Sequence, residues 1–235
     1  LYLELTEGEI ARIAASALHT RVLSYRLLSG GLFNTTYLLD TTDCGKLVLR
    51  AGPVNRHLLM PFEHRLMEAE AQAYVLLGAR GIPASQMLVM DNSKTVVDRD
   101  FMIVRYITGT AMSQLELTQE DTTRISRNVG EATAKMHRIT APRFGRIADV
   151  KNGGGYFKWS DCLMGELRDW EKVGVSSGIF SKAELDEIRD FFKGAAPYLD
   201  EIQKPHLVHT DLWQGNILVR TDTSKPEFGA IIDVD

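Results

Sequence analysis

A run of polar side chains near the end of the chain could carry out chemistry on a hydroxyl group. Residues 209–216 read His-Thr-Asp-Leu-Trp-Gln-Gly-Asn. A carboxylate such as Asp211 can accept a hydroxyl proton, and an amide oxygen such as that of Asn216 can hold Mg²⁺. Residues 231–235 read Ile-Ile-Asp-Val-Asp, and Asp233 is a carboxylate of the kind that holds a metal ion at nucleotide phosphates. Together the two runs predict phosphoryl transfer.

The residues between these two runs should bring Asn216 and Asp233 to one point. Residues 217–219 and 230–232 are short apolar segments, and residues 222–226 form a turn signal between them. Two short strands joined by a turn place the start of the first strand beside the end of the second. We therefore expect Asn216 and Asp233 to hold magnesium together, with Asp235 as a further carboxylate that could share this role.

Composition excludes several classes of protein. The chain has 235 residues, 44% of them hydrophobic and 25% charged, and a net charge of −4. This balance is typical of a globular protein and argues against a nucleic-acid partner, which a basic surface would attract. Two distant cysteines, Cys44 and Cys162, do not form a disulfide framework. Without a secretory signal or an apolar run of about 20 residues, we expect a cytoplasmic protein with no membrane partner.

The chain should form a sheet-rich part followed by a helical part. A capping box at Thr6 and Glu9 precedes an amphipathic helix. Gly109 interrupts the pattern and suggests a hinge, which predicts domains over 1–107 and 108–235. We expect strands over 23–29, 35–41, 46–51, 87–90 and 96–107, and helices over 63–78, 119–139, 160–172 and 182–194.

The order of these elements, together with the motifs, resembles the aminoglycoside phosphotransferase and choline kinase-like family over about residues 20–235. The resemblance implies an α+β, two-lobed protein kinase-like fold with a small antiparallel-sheet N-lobe and a mainly helical C-lobe. Because the chain stops two residues after Asp233, the C-terminal part of that lobe is expected to be missing. Implied cofactors are Mg²⁺ and a nucleoside triphosphate, ATP or GTP. Asp211 would be the base and orienter, and His209 would brace its loop.

The resemblance also assigns residues that would bind the nucleotide. The 29–36 loop, with Gly30, Gly31, Asn34 and Thr35, would cover the phosphates, because glycines allow close backbone approach. A second set comes from residues 103–109, which resemble the linker between the two lobes. Backbone groups at Val104 and Tyr106 would read the edge of the base there.

Arg50 stands where protein kinases have a lysine, on the strand after the loop. Its guanidinium can grip phosphate or carboxylate with two hydrogen bonds. The resemblance implies a helix glutamate as its partner. Glu63, Glu68 and Glu70 are available, and the spacing from Glu70 to the exit turn fits best, with Glu68 as the fallback.

The acceptor would be a small polar molecule with a hydroxyl group. Aminoglycosides, choline, ethanolamine, sugars and amino alcohols all remain open, and an aminoglycoside acceptor would make the protein an antibiotic-resistance enzyme. Contacts to a cationic acceptor could come from residues in the segment 144–200, namely Asp149, Tyr156, Trp159, Asp161, Glu166 and Asp169. The sequence does not indicate an oligomeric state.

Two alternatives of other classes remain. His206 and His209 could form a metal centre with Asp211 and Asp233, as in a metal-dependent hydrolase. The chain could also be an inactive module that binds a nucleotide without turnover, although intact Asp211, Asn216 and Asp233 argue against this. A retained zinc or iron ion would favour the hydrolase, whereas weakly held Mg²⁺ would favour the kinase.

Overall fold

A computed structural model of the chain describes residues 1–28 and 33–234. Gly30 and Gly31 of the predicted phosphate loop, and Asp235, therefore lie outside the described residues. The chain divides into two compact units. The first unit contains Leu1–Leu58, Met67–Lys135 and His209–Asp235, and the second contains Leu59–Leu66 and Met136–Val208. This division differs from the predicted boundary at residues 107 and 108, which stays a prediction about the two lobes.

A five-stranded antiparallel sheet is the framework of the first unit. Its strands are β1 (Val22–Leu28), β2 (Thr35–Thr41), β3 (Gly45–Ala51), β4 (Met87–Asp91) and β5 (Phe101–Arg105). They pair in the order β1-β2-β3-β5-β4. Alternate residues of β3 are buried, among them Leu47 and Leu49. Since successive side chains of a strand point to opposite faces, Arg50 lies on the face opposite to these core residues.

Helix α1 (Glu7–Leu18) covers the apolar face of this sheet. Thr6 and Glu9 form the predicted capping box, which satisfies backbone N–H groups at the start of the helix. Ile10 and Ile13 pack in one buried cluster with residues of the sheet, including Leu39, Leu47, Leu49 and Phe101. Helix α2 (Leu66–Gly78) follows β3 and carries buried residues that include Glu70 and Tyr74.

A second, smaller sheet positions the ends of the two chemical motifs. Strands β6 (Thr110–Ala111), β7 (Ile217–Arg220) and β8 (Glu227–Ile231) pair antiparallel in that order. Helix α3 (Gln119–Met136) packs on them through a cluster that includes Ile125, Ile217 and Val219. Ile217 lies opposite Ile231 in the register of β7 and β8. The residues just before β7 and just after β8 are therefore at the same end of the sheet.

The second unit is mainly helical. It contains α4 (Ile147–Lys151), α5 (Trp159–Ser176) and α6 (Lys182–Leu199). A second capping box, formed by Ser181 and Glu184, starts α6 as the sequence predicts. Pro197 lies in the last turn of α6, close to the point at which the helix ends.

The structure confirms the predicted α+β class, with an antiparallel sheet in the N-terminal part and helices in the C-terminal part. Some boundaries differ. The predicted helix over 63–78 begins at Leu66, because Pro61–Arg65 forms a 3₁₀ turn. The predicted strand over 96–107 is limited to Phe101–Arg105, because Arg99 turns inward ahead of it. No helix in the described part of the chain is long and apolar enough to span a membrane.

Arg99 holds the N-terminal segment against the ends of β2 and β3 that adjoin the predicted phosphate loop. It is 6% exposed. Its Nε donates to the Gly52 carbonyl at 2.7 Å, and its Nη1 donates to the Leu3 carbonyl at 2.6 Å. Its Nη2 donates to Thr35 Oγ1 at 3.1 Å. Burial lowers the pKa of the Arg99 guanidinium, which is stabilised here by uncharged oxygens instead of a carboxylate.

We expect Arg99→Met to lower the free energy of unfolding by about 2–3 kcal/mol, because several buried acceptors lose their donor. Urea denaturation would measure this. Arg105→Met is the matched control, because Arg105 also donates to a backbone carbonyl but is exposed. The control should change the free energy by only about 0.5 kcal/mol. Equal losses in the two variants would contradict a special contribution from Arg99.

Candidate functional site

Arg50 is held between two carboxylates in the first unit. Its Nη1 forms an ion pair with Oε1 of Glu70 on α2. Its Nη2 forms another, at 2.6 Å, with Oδ1 of Asp233, which follows β8. The side chain of Glu70 is 3% exposed and that of Asp233 is 47% exposed. The guanidinium therefore joins strand β3, helix α2 and the end of β8 at one point.

The electrostatics of this cluster favour a permanently charged Arg50. Burial opposes the positive charge, but the carboxylates of Glu70 and Asp233 outweigh it, and the pKa of the guanidinium lies above its usual value. One cation facing two carboxylates leaves an excess of negative charge. Such a cluster attracts a further cation, and its half-exposed member, Asp233, is the carboxylate such a cation could reach.

Tyr74 lies beside this cluster on α2, one turn after Glu70. Its hydroxyl donates to Glu70 Oε1 at 2.7 Å and accepts a hydrogen bond from the Asp233 backbone N–H at 3.0 Å. Burial and the negative charge of Glu70 raise the pKa of Tyr74 well above its usual value. The phenol is consequently protonated over the whole physiological pH range.

Asp233 adopts a left-handed backbone conformation, with φ of 62°. Aspartate tolerates this region better than most residues, but it still costs about 1–2 kcal/mol. Non-glycine residues in this region are found at functional sites when their surroundings hold them there. At Asp233 the neighbouring contacts are those of its N–H with Tyr74 and of its carboxylate with Arg50.

The loop from His209 to Asn216 is fixed by hydrogen bonds of its own. His209 is buried, and its Nε2 lies 3.0 Å from the Ile232 carbonyl, to which it donates. Its Nδ1 accepts from the Asp211 N–H at 3.3 Å. A neutral imidazole protonated on Nε2 satisfies both contacts. His209 therefore connects the loop to the segment that leads to Asp233.

Asn216 ties the two motifs together. Its Nδ2 donates to the Asp211 carbonyl at 2.9 Å and to Asp211 Oδ2 at 3.2 Å. The backbone carbonyl of Asn216 accepts a hydrogen bond from the Ile232 N–H at 3.0 Å. The amide oxygen of Asn216 takes no part in these hydrogen bonds to Asp211. The structure thus brings Asp211, Asn216 and the backbone next to Asp233 together.

The oxygens of this site fit a hard cation. Mg²⁺ prefers carboxylate and amide oxygens and keeps several waters. Asp233 offers a half-exposed carboxylate, and Asn216, whose backbone bonds to that of Ile232, carries an amide oxygen as a second candidate ligand. No cluster of three or more His, Cys, Asp or Glu suited to a metal occurs within residues 1–28 and 33–234. His206, which the hydrolase alternative needs, donates through Nδ1 to the His137 carbonyl at 2.6 Å.

Trp213 and Gly215 form a contact within the loop that the sequence analysis missed. A Cβ atom added at Gly215 would lie 2.1 Å from Cζ2 of the Trp213 indole. Only glycine therefore leaves room for the ring in this position. The Asn216 N–H also donates to the Trp213 carbonyl at 3.0 Å. A larger side chain at position 215 would displace the exposed indole from this position, and no sequence rule for single glycines gives this contact.

Several polar groups of the predicted nucleotide-binding residues already form hydrogen bonds within the fold. Thr35 is buried, and its hydroxyl donates to the Leu3 carbonyl at 2.8 Å while accepting from Arg99. Its hydroxyl is thus committed to the fold, and a phosphate contact would have to come from its backbone. Asn34 is half-buried next to it.

The two linker residues lie at the end of β5. Val104 is 3% exposed and pairs with Val48 on one side and Met87 on the other. The Tyr106 N–H donates to the Lys46 carbonyl at 3.3 Å. That N–H would have to leave Lys46 in order to contact a nucleotide base. The predicted role of Tyr106 would therefore rest on its carbonyl or on a rearrangement.

The second unit contains a cavity of its own of about 570 Å³. Four residues of the predicted acceptor set line it: Asp149, Tyr156, Glu166 and Asp169. Two arginines neutralise part of its charge, because Arg65 pairs with Asp149 at 2.7 Å and Arg146 with Glu166 at 3.6 Å. Trp159 packs on Phe144 instead, with ring centroids 5.7 Å apart.

Comparison with known proteins identifies the family. The family model described as the phosphotransferase enzyme family, APH, matches residues 24–235, which is most of the chain. The chain belongs to this family. No curated protein matches the chain. The family assignment agrees with the resemblance that the motifs carry.

Solved structures share the fold at low sequence identity. A candidate aminoglycoside phosphotransferase from Ralstonia eutropha JMP134 is 18% identical with a TM-score of 0.59, and the match covers 97% of this chain and 64% of that one. A candidate fructosamine-3-kinase from Thermobifida fusca YX-ER1 is 15% identical with a TM-score of 0.60, covering 96% and 75%. A thermostable mutant of aminoglycoside phosphotransferase APH(4)-Ia, in a ternary complex with AMP-PNP and hygromycin B, is 14% identical with a TM-score of 0.62, covering 96% and 70%. The chain thus spans about two thirds to three quarters of the length of these proteins.

We expect Glu70→Gln to lower the free energy of unfolding by about 1–3 kcal/mol, because Arg50 loses the buried one of its two charge partners. Glu68→Gln is the matched control on the same helix, where the carboxylate is only partly buried and accepts from Gln72. The control should lose less than about 1 kcal/mol. Chemical denaturation of both variants measures the difference, and a larger loss at Glu68 would contradict the importance of the Arg50–Glu70 pair.

Proposed function

We propose that this chain is the nucleotide-binding and catalytic part of a Mg²⁺-dependent kinase. It transfers the γ-phosphate of ATP or GTP to a hydroxyl group of a small polar acceptor. The observation that carries the proposal is the meeting of Arg50, Glu70 and Asp233 beside the Asp211–Asn216 loop. This arrangement joins a phosphate-binding cation, a metal-binding carboxylate and a candidate base within one compact unit.

Asp211 is proposed as the base and orienter. Its side chain is exposed, and its Oδ2 accepts from Asn216, which restrains the direction of the carboxylate. As the acceptor oxygen forms a bond to the γ-phosphorus, the bond from that phosphorus to the β,γ-bridging oxygen breaks. Asp211 takes the hydroxyl proton, and the nucleoside diphosphate leaves. His209 keeps the loop in place through its bond to the Ile232 carbonyl.

Other charged and polar residues would bind the phosphates and the metal ion. Arg50 binds phosphate oxygens, and Glu70 keeps the guanidinium directed into the site. Asn216 and Asp233 would hold Mg²⁺, which neutralises phosphate charge when it is bound. The 29–36 loop would cover the phosphates, and the backbone at Val104 and Tyr106 would contact the base.

The acceptor class stays broad in this proposal. Relatives of the same fold include a protein in complex with hygromycin B and a candidate fructosamine-3-kinase. Hygromycin B and fructosamines both carry hydroxyl and amino groups. We propose an aminoglycoside-like acceptor or another small hydroxylated amine, such as choline, ethanolamine or an amino alcohol, or a sugar.

We expect Asp211→Asn to reduce phosphoryl transfer by about 10²–10⁴-fold, because the variant loses its general base. Nucleotide affinity should stay close to that of the wild type, since the proposed phosphate contacts come from other residues. The assay is a screen of hydroxylated acceptors with labelled ATP and GTP on the full-length protein.

Asp222→Asn is the matched control for this assay. Asp222 is an exposed aspartate in the turn between β7 and β8, where it pairs with Arg220 at 3.3 Å. Its substitution should leave turnover unchanged. Wild-type turnover that survives in Asp211→Asn would contradict the role of Asp211. Nucleotide binding without turnover for every acceptor would favour the inactive nucleotide-binding module instead.

A further inference from the structure

Tyr74 is a buried polar residue of the site to which the proposed reaction assigns no part. It is 3% exposed, and its single hydroxyl contacts both Glu70 and Asp233. The direction of each hydrogen bond is fixed by chemistry. The Glu70 carboxylate can only accept, so the phenol proton points to Oε1, and the Asp233 N–H can only donate, so it points to the phenol oxygen.

The hydroxyl of Tyr74 serves both contacts at once. It donates its proton to Glu70 Oε1 at 2.7 Å. The same oxygen is then available to the Asp233 N–H at 3.0 Å. The hydroxyl oxygen of Tyr74 therefore connects Glu70, the partner of Arg50, with the backbone of Asp233, the proposed metal ligand.

The backbone at Asp233 needs such a contact. Its φ of 62° lies in the left-handed region, which most side chains avoid. The N–H bond to Tyr74 holds the peptide plane that precedes the Asp233 Cα, and the carboxylate of the same residue reaches Arg50 at 2.6 Å. Without the phenol oxygen, this peptide would keep only the hydrogen bond from His209 Nε2 to its Ile232 carbonyl. The Asp233 backbone would then be less restrained against the extended conformations that aspartate prefers, and its carboxylate would lose its fixed direction.

We infer that Tyr74 is a positioning residue for the metal site: its hydroxyl fixes the left-handed backbone of Asp233 so that this carboxylate points to Arg50 and to Mg²⁺. This inference rests on the proposed function of Asp233 as a magnesium ligand. Tyr74 touches neither the nucleotide nor the acceptor in this role. It acts on the metal site through Asp233. It also donates to Glu70, the carboxylate that pairs with Arg50 and so directs the guanidinium.

The test is the dependence of nucleotide binding on Mg²⁺ in Tyr74→Phe, which removes one oxygen and keeps the ring. A fluorescent ATP analogue, and its GTP counterpart, would be titrated with the full-length protein at increasing Mg²⁺ and separately in EDTA. The Mg²⁺ concentration at half-saturation should rise roughly tenfold, the effect expected when a buried donor loses its acceptor. Binding in EDTA should change much less, because Arg50 remains paired with Glu70 and can still contact phosphate oxygens.

Tyr37→Phe is the matched control. Tyr37 is also a buried tyrosine of the first unit, 1% exposed, and its hydroxyl accepts from the Leu5 N–H at 2.6 Å. Its contact is to the N-terminal segment and not to the site. Tyr37→Phe should lose stability, as Tyr74→Phe should, because each variant loses one buried hydroxyl group. The Mg²⁺ concentration at half-saturation should stay at the wild-type value in Tyr37→Phe.

Hydrogen–deuterium exchange provides a readout that does not depend on catalysis. The Asp233 amide should be protected in the wild type and exchange faster in Tyr74→Phe, but not in Tyr37→Phe. If Tyr74→Phe does not fold, an unprotected Asp233 amide in the wild type would overturn the inference, and a protected one would support it. An unchanged Mg²⁺ half-saturation in a folded Tyr74→Phe protein would overturn it as well. A wild type that binds no nucleotide with Mg²⁺ would instead overturn the proposed function.

Discussion

The buried positive charge of Arg50 is the constraint on which the rest of the site depends. A charge removed from water is tolerated only when opposite charges and hydrogen bonds replace the solvent. Glu70 and Asp233 do so here, and they come from a helix and from the end of a strand in a different sheet. Arg50 Nε has no hydrogen-bond partner among the residues described. The terminal nitrogens therefore carry the interaction that joins β3, α2 and β8.

In our proposal, this constraint favours the binding of a second cation and of an anion. Two carboxylates face one guanidinium, and Asp211 adds a third carboxylate through Asn216. The negative excess favours a divalent metal, and a metal together with Arg50 favours phosphate oxygens. Asp233 already contacts Arg50, so a bound metal has to share this carboxylate with the guanidinium. In our proposal the incoming phosphates relieve that competition, since they offer Arg50 new negative partners.

The sequence predicts the parts of this site that follow from local pattern, and misses those that depend on tertiary contacts. The strand, turn and strand before Asp233 and the capping boxes of α1 and α6 follow from short-range rules, and the structure contains them. Tyr74 was missed, although it stands four residues after Glu70 and so shares its helix face. The buried hydroxyl of Thr35 and the indole over Gly215 could not be predicted, because Leu3, Arg99 and the ring of Trp213 reach those positions only in the folded chain.

The most direct test of the account is a crystal structure of the full-length protein with Mg²⁺ and a non-hydrolysable ATP or GTP analogue. The account predicts metal ions held by the Asn216 amide oxygen and the Asp233 carboxylate at distances of about 2.1 Å. It also predicts that Arg50 contacts phosphate oxygens while it remains paired with Glu70. A nucleotide bound away from Arg50, or metal ions that avoid both Asn216 and Asp233, would contradict it.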